Sequence, residues 1–270
     1  MPDVSVIIPT TRPDTLHRAL ASVEAQTDPP LEVLVEEDPG RRGAALTRNA
    51  GAARARGSLL AFLDDDDEWE PEFLELVRVP DDCVLAYSAL EHLHATDPLQ
   101  GSPTVPSAAV LRADAFRSVG GFRPFALGED YDLFLRLHRM GGFHRVAQTL
   151  LRYTRRRDED RYLGLRIFTA AILEDFREQH AAEFGARGRR SLAREYRLLA
   201  RHLQRRPGLT RRLRRAQRAA AAASLRLRPH TRALQAWLAS FFARGAREAP
   251  LPPPPPKLFG PLALLYERSD

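Results

Sequence analysis

The 270-residue chain predicts an α/β fold: a doubly wound, mainly parallel sheet followed by a C-terminal helical region. Three observations predict it. Short, bounded apolar runs alternate with segments of helical periodicity from Val4 onward. One such run, Leu59-Leu60-Ala61-Phe62-Leu63, passes straight into Asp64-Asp65-Asp66-Asp67-Glu68. That fits a strand buried on both faces, with its carboxylates emerging at the sheet edge where open α/β sheets bind ligands. Beyond Tyr162 the strand signals stop and apolar residues recur every three or four positions.

Taken in order, residues 4–8 are β-branched and apolar and stop at Pro9, giving a first strand. Leu16, Leu20 and Val23 sit at helical spacing before Asp28-Pro29-Pro30 breaks the pattern. Residues 31–35 form a second strand ending in Glu36, Glu37 and Asp38, and Pro39-Gly40 is a turn. A helix over 46–56 stops at Gly57, and the Asp-tipped strand follows. A helix is expected over 71–77, strands over 83–88 and 108–111, a loop over 95–106 and a short helix over 114–119. Gly120-Gly121-Phe122 is a turn. A helix then opens near Glu129 and Asp130, with Leu133 and Leu137 one turn apart and facing the core. Residues 143–153 hold one or two last strands.

The helical part carries three stripes: Leu192, Tyr196, Leu199 and Leu203; Leu209, Leu213, Ala216, Ala220, Ala223 and Leu227; and Leu234, Trp237, Leu238 and Phe241. Pro207-Gly208 and Pro229 separate them. Five prolines from Pro252 to Pro256 favour an extended spacer, and 258–266 is apolar enough to dock. The expected organisation is therefore an α/β domain over 1–158, an Arg-rich helical region over 159–245, and a Pro-rich tail over 246–270.

Composition excludes several classes. Apolar content of 44% and charged content of 28% are those of an ordinary globular protein. Cys83 is the single cysteine, so no intrachain disulfide can form, which suits a reducing compartment. The first residues lack a basic stretch before an apolar core, and no apolar run is long enough to span a bilayer, so the expected location is cytoplasmic, with peripheral contact at the inner face of the membrane. The net charge of +6 is unevenly spread: from Arg187 to Arg232 there are sixteen arginines and one acid, Glu195, so +15 resides there and −9 elsewhere.

Adjacent carboxylates repel by roughly 1 kcal/mol at ~4 Å even in water, and more in a cleft. A hard divalent cation, Mg²⁺ or Mn²⁺, relieves that repulsion with oxygen ligands. A solvated acidic turn is the plain alternative for the run 64–67. Capping of a helix start, favoured by the helix dipole, is the plain alternative for Glu129 and Asp130.

Five stretches in order carry a family resemblance: Val4-Ser5-Val6-Ile7-Ile8-Pro9-Thr10, Thr47-Arg48-Asn49-Ala50-Gly51, Ala61 through Trp69, Val119-Gly120-Gly121-Phe122, and Gly128-Glu129-Asp130-Tyr131-Asp132-Leu133. Together they resemble the family 2 glycosyltransferases with the GT-A fold over residues 3–155; the helical part lies outside the resemblance. The resemblance implies inverting transfer of a sugar from a nucleoside-diphosphate donor (UDP, GDP or dTDP) to an acceptor hydroxyl, lipid-linked or saccharide, in cell-surface polysaccharide or glycoconjugate synthesis. It implies that Pro9, Thr10 and Arg12 line the nucleotide pocket, that Glu37 or Asp38 contacts the base, and that Arg48 approaches the nucleotide or its phosphates. Asp64 to Asp66 match the family's DXD metal motif, with Asp66 the direct ligand and Asp64 and Asp65 nearer the ribose or the metal's waters. Asp130 matches the catalytic base, with Glu129 supporting it or meeting the acceptor.

Two departures stand out. The usual Asp-Asp pair at the base is Glu36-Glu37-Asp38 here, and the histidine that many relatives carry after the last strand is replaced by Arg155-Arg156-Arg157. His138, His144 and His180 read as surface or satisfied side chains. A haloacid-dehalogenase-type phosphatase would need a Gly-Thr or Gly-Val step after its Asp-x-Asp, and Asp67-Glu68-Trp69 lacks it. The arginine helices leave two other readings, a nucleic-acid-binding protein and a face resting on anionic lipid. No nucleic-acid motif or aromatic interleaving accompanies the arginines, which disfavours the first. A catalytically inactive nucleotide-sugar-binding relative is the remaining alternative.

Overall fold

The computed structural model describes residues 3–11, 13–91, 93, 97–100, 102–154, 159–205, 211–227 and 262–263. Arg12, Arg155–157, Pro207-Gly208, Leu209, Pro229, the stripe at 234–241 and the proline run lie outside the described residues. The chain divides into two compact units, Met1–Pro124 with Glu129–Arg156, and Phe125–Gly128 with Arg157–Asp270.

The first unit runs β1 (Val4–Thr10), α1 (Pro13–Glu24), β2 (Glu32–Glu37), α2 (Ala44–Arg54), β3 (Leu59–Phe62), β4 (Glu68–Trp69), α3 (Phe73–Leu76), β5 (Cys83–Ser88), β6 (Ala109–Arg112), α4 (Ala113–Ser118), α5 (Glu129–His138), β7 (Gly142–Val146) and β8 (Leu151–Arg152). Six strands form a sheet in the order β2-β1-β3-β6-β5-β7. β1 is parallel to β2 and β3, and β5 is parallel to β7. β6 runs antiparallel between β3 and β5, so the sheet is mixed.

Both faces of this sheet are covered, which is why β1 and β3 read as unbroken apolar runs. On one face Val6, Ile8 and Ala61 pack with Ala19 and Val23 of α1 and with Trp69 and Phe73. On the other, Ile7, Leu60 and Phe62 pack with Ala45 and Ala52 of α2 and with Leu133, Phe134 and Leu137 of α5. Leu133 and Leu137 are fully buried, as their spacing requires.

Two features were not legible beforehand. β4 and β8 pair as a two-residue antiparallel ribbon, too short to carry a period. It is anchored by Trp69, whose Nε1–H donates to the Ser107 carbonyl at 2.6 Å and whose ring stacks on Phe73 at 4.3 Å. The helix expected over 71–77 is the single turn α3.

The second unit holds α6 (Glu159–Gln179), α7 (Ala181–Arg205) and α8 (Arg211–Leu227). The expected stripe of α7 is its core face: Leu192, Tyr196, Leu199 and Leu203 are all buried. Ala216, Ala220 and Ala223 do the same for α8. The Tyr196 hydroxyl donates to Glu174 Oε1 at 2.7 Å, Arg166 pairs with Glu195 at 2.7 Å, and Ser224 Oγ donates to the Ala193 carbonyl at 2.7 Å. These bonds fix α7 against α6 and α8. Gly185 breaks the helical path of α7 with φ 44° and ψ −152°.

Close backbone approach explains Gly57 at the entry to β3. A Cβ there would lie 2.4 Å from the Asp3 carbonyl oxygen and 2.7 Å from the Ser5 nitrogen. Gly57→Ala is expected to cost about 1–3 kcal/mol by forcing backbone apart, whereas Gly40→Ala, whose Cβ would meet Arg42 only at 3.8 Å, is tolerated. Denaturant midpoints of the two variants measure this; equal midpoints would contradict it.

Candidate active site

The acidic run sits at the carboxyl end of β3. Leu63 N–H still donates to the Ile7 carbonyl at 3.0 Å, and the chain then turns, closed by Asp67 N–H to the Asp64 carbonyl at 3.0 Å. The four aspartates alternate. Asp65 and Asp67 are buried, while Asp64 and Asp66 are half-buried. Asp65 Oδ2 accepts from the Thr10 hydroxyl at 2.7 Å, tying the turn to the end of β1. Asp67 Oδ1 accepts from Thr154 N–H at 2.8 Å, and the Thr154 hydroxyl donates to the Asp66 carbonyl at 2.5 Å. Burial first, and then the charge of Asp64, push Asp67 up to about 7.

Arg48, on α2, is the centre of the cluster and only 3% exposed. Its Nη2 donates to Asp64 Oδ1 at 2.6 Å and its Nη1 to Glu129 Oε1 at 2.9 Å. Its guanidinium carbon lies 5.3 Å from the centre of the Phe122 ring. Burial alone would lower its pKa; the charges of Asp64 and Glu129 outweigh burial and raise it above the usual range. One side chain thus joins the end of β3 to the start of α5.

The neighbouring stretches hold this arrangement. Asn49 Nδ2 donates to the Phe122 carbonyl at 2.8 Å, and Phe122 N–H donates to Asn49 Oδ1 at 2.9 Å. Gly121 has φ +68°, and a Cβ there would lie 2.7 Å from Asn49 Oδ1. Asp132 is buried and engaged by Arg136, whose Nη1 and Nη2 also donate to the Val119 and Gly121 carbonyls at 2.7 and 2.8 Å. So of the acids opening α5, Asp132 braces the turn and Glu129 meets Arg48. Asp130 is half-buried, with Oδ1 accepting its neighbour Tyr131 N–H at 2.7 Å. Burial, followed by the charge of Glu129, pushes it up to about 7.

At the second strand end, Asp38 is buried and its two oxygens accept Arg42 N–H and Gly43 N–H, both at 2.9 Å. Those backbone donors hold its carboxyl below the usual carboxylate range. Its carboxylate organises the loop before α2, while Glu37 is exposed at the end of β2. Pro9 is half-buried on β1 beside Thr10.

Among the described residues no group of three or more His, Cys, Asp or Glu side chains is arranged to hold a metal. Asp64 and Asp66 nonetheless supply half-exposed oxygen donors on one turn. That set fits Mg²⁺ or Mn²⁺, which bind through one or two carboxylates when ligand phosphates complete the shell.

Sequence reasoning named Asp64, Asp65, Asp66, Arg48, Glu129 and Asp130 but gave no role to Asn49, Phe122, Asp132, Arg136 or Thr154. Asn49 and Phe122 sat inside the matching stretches. Thr154 carried no signal at all, since its role depends on where β8 ends.

This architecture is a GT-A glycosyltransferase fold. The chain aligns with S. aureus TarS at a TM-score of 0.51 and 15% identity, over 85% of this chain and 50% of that one. It thus spans half the length of that chain. It aligns with the mannosyltransferase PcManGT from Pyrobaculum calidifontis, in complex with GDP-Man and Mn²⁺, at a TM-score of 0.53 and 13% identity, over 90% of this chain and 85% of that one. Residues 35–78 match the family model described as glycosyl transferase family 2. No curated protein matches the sequence. The family-model match spans the end of β2, α2, β3, the acidic run and α3.

Two stability outcomes follow from the geometry. Arg48→Met leaves Asp64 and Glu129 without their cation. The cost expected is about 2–3 kcal/mol, at or below the low end for a buried pair because the Asp64 side chain is 33% exposed. Urea unfolding measures it, and a loss within error of zero would show that the fork is dispensable. Asp130 ionises near 3.8 when unfolded and at about 7 when folded. The folded state therefore holds the extra proton between those values, and stability falls as pH rises from about 4 to about 7. Asp130→Asn cannot ionise and should flatten that fall in a melting-temperature profile; parallel profiles would contradict the assignment.

Proposed function

We propose that the chain is an inverting glycosyltransferase that moves a sugar from a nucleoside-diphosphate sugar (UDP-, GDP- or dTDP-linked) to an acceptor hydroxyl. The observation that carries this reading is the Arg48 fork. It fixes the Asp64–Asp66 turn and the Glu129-Asp130 helix start within one guanidinium of each other, at the edge where α/β sheets bind ligands.

In this reading Pro9, Thr10 and Asp65 line the nucleotide side, with Arg12 completing it, and Glu37, exposed at the end of β2, reaches the base. Asp38 acts through the loop that it organises. A divalent cation held by Asp66 and Asp64 would neutralise the charge that grows on the departing diphosphate. The GDP-Man and Mn²⁺ complex of the Pyrobaculum enzyme of the same fold supports this donor class. Asp130 takes the acceptor proton as the acceptor oxygen bonds to the anomeric carbon and the bond to the diphosphate breaks. Burial that raises the Asp130 pKa makes it a stronger base once ionised. Glu129, held by Arg48, fixes the helix start beside Asp130. The acceptor class is a saccharide or lipid-linked hydroxyl of cell-surface polysaccharide or glycoconjugate synthesis.

Thermal shift against UDP-, GDP- and dTDP-linked nucleotides, with and without Mn²⁺, tests the donor assignment. A Mn²⁺-dependent rise with one nucleotide, lost in Asp66→Ala, is expected; no rise with any nucleotide sinks the reading. With the donor known, Asp130→Asn should lower kcat by about 10²–10⁴-fold while keeping the nucleotide shift. In the wild type kcat/KM should rise with pH and level off above about 7, because the base must be ionised. Retained turnover in Asp130→Asn would move the base elsewhere.

A further inference from the structure

We propose that α7 presents an arginine face on which the protein docks, without insertion, on an anionic phospholipid surface. The face is built by periodicity. Arg187, Arg190, Arg194, Arg197 and Arg201 are spaced by three and four residues, so they share one side of the helix. At 1.5 Å per residue the row is about 21 Å long. Arg187, Arg190, Arg194 and Arg201 are exposed and Arg197 is half-buried. The opposite side of the same helix is the fully buried stripe described above.

From Arg187 to Arg201 the sequence carries six arginines against one acid. The single acid among these arginines, Glu195, is 1% exposed and is engaged by Arg166 and Arg194. α8 has no acidic residue and exposes Arg215, Arg218 and Arg226. The second unit as a whole carries 24 basic residues against 11 acids. Guanidinium groups meet phosphate oxygens bidentately, and rows of four to eight basic residues on an amphipathic helix are read by anionic lipid head groups.

The partner chemistry follows from what the face lacks and from what its underside is used for. An amphipathic helix that inserts needs a free apolar side. Here that side is spent on α6 and α8, and no large exposed apolar residue lies in the second unit among the described residues. Contact is therefore electrostatic, reversible and salt-sensitive. Single-stranded nucleic acid needs aromatic platforms, and none is exposed on α7 or α8 among the described residues. A planar array of phosphate head groups asks only for charge in a row. The proposal uses none of the residues placed in the transferase site and does not depend on that reading.

Co-sedimentation of the full chain with phosphatidylcholine vesicles, and with vesicles containing phosphatidylglycerol, tests it. Binding is expected only with phosphatidylglycerol and should be lost at high salt. Arg190→Gln and Arg201→Gln should each weaken it about fivefold, and Arg190→Lys should largely restore it, with melting temperatures unchanged. Equal binding to both vesicle types, no binding to either, or loss-free behaviour of both Gln variants overturns the proposal. So does salt-sensitive binding to duplex DNA in the absence of vesicle binding, which would assign the face to nucleic acid.

Discussion

A single buried guanidinium sets the geometry of the first unit. Arg48 comes from a helix, Asp64 from a strand end and Glu129 from the start of a second helix, and they meet at 2.6 and 2.9 Å. Removing two carboxylates and a guanidinium from water is costly unless each hydrogen-bonding site is used. Both terminal nitrogens of Arg48 are used, one on Asp64 and one on Glu129, which aligns α2, β3 and α5, while its buried Nε has no partner among the described residues. The surrounding devices serve that alignment: the Asn49 amide on Phe122, the Gly121 turn, and the Asp132–Arg136 pair that grips the same turn from below.

This arrangement sorts the acids. In the run 64–67 the turn closed between Asp64 and Asp67 does the sorting: Asp65 and Asp67 are buried, and Asp64 and Asp66 are half-buried. Asp65 and Asp67 become braces, one to Thr10 and one to Thr154, and Asp64 is held by Arg48. In 129–132 the helical period does the sorting: Asp132 drops into the core beside Arg136, one turn on, and Asp130 remains half-buried at the helix start. Five adjacent acids in the sequence thus do not act together, and neither do the acids that open α5.

The α/β class, the strand ending in carboxylates and the helical second half were legible because each rests on local periodicity. β1, β3 and the α7 stripe needed nothing but the spacing of apolar residues. The antiparallel placement of β6 was not legible, since the long connection before it leaves strand direction open. The β4–β8 ribbon was hidden because its register depends on residues some eighty positions apart. For the site, residue types at the strand and helix ends gave the candidates, but their partners did not follow. Arg48 was expected near the nucleotide; its two carboxylate partners are 16 and 81 residues away. Asp38 is likewise occupied by the loop of its own chain, which leaves Glu37 exposed at that strand end.

Charge accounting links these details to the proposed chemistry. The first unit carries 24 acids against 17 basic residues. A nucleoside diphosphate brings further negative charge to its most acidic edge. The cation best placed to meet it, Arg48, is already shared by Asp64 and Glu129, and its charge is spent within the cluster. Binding a diphosphate there requires positive charge from another source. In the proposed function a divalent ion held by Asp64 and Asp66 would supply it and would relieve the repulsion between those two carboxylates. In the same proposal an arginine among residues 155–157, which follow Thr154 in the sequence, would be the alternative source of charge. The two differ in one respect: an arginine acts on the phosphates alone, whereas only an ion ligated by carboxylates makes nucleotide affinity depend on Asp66.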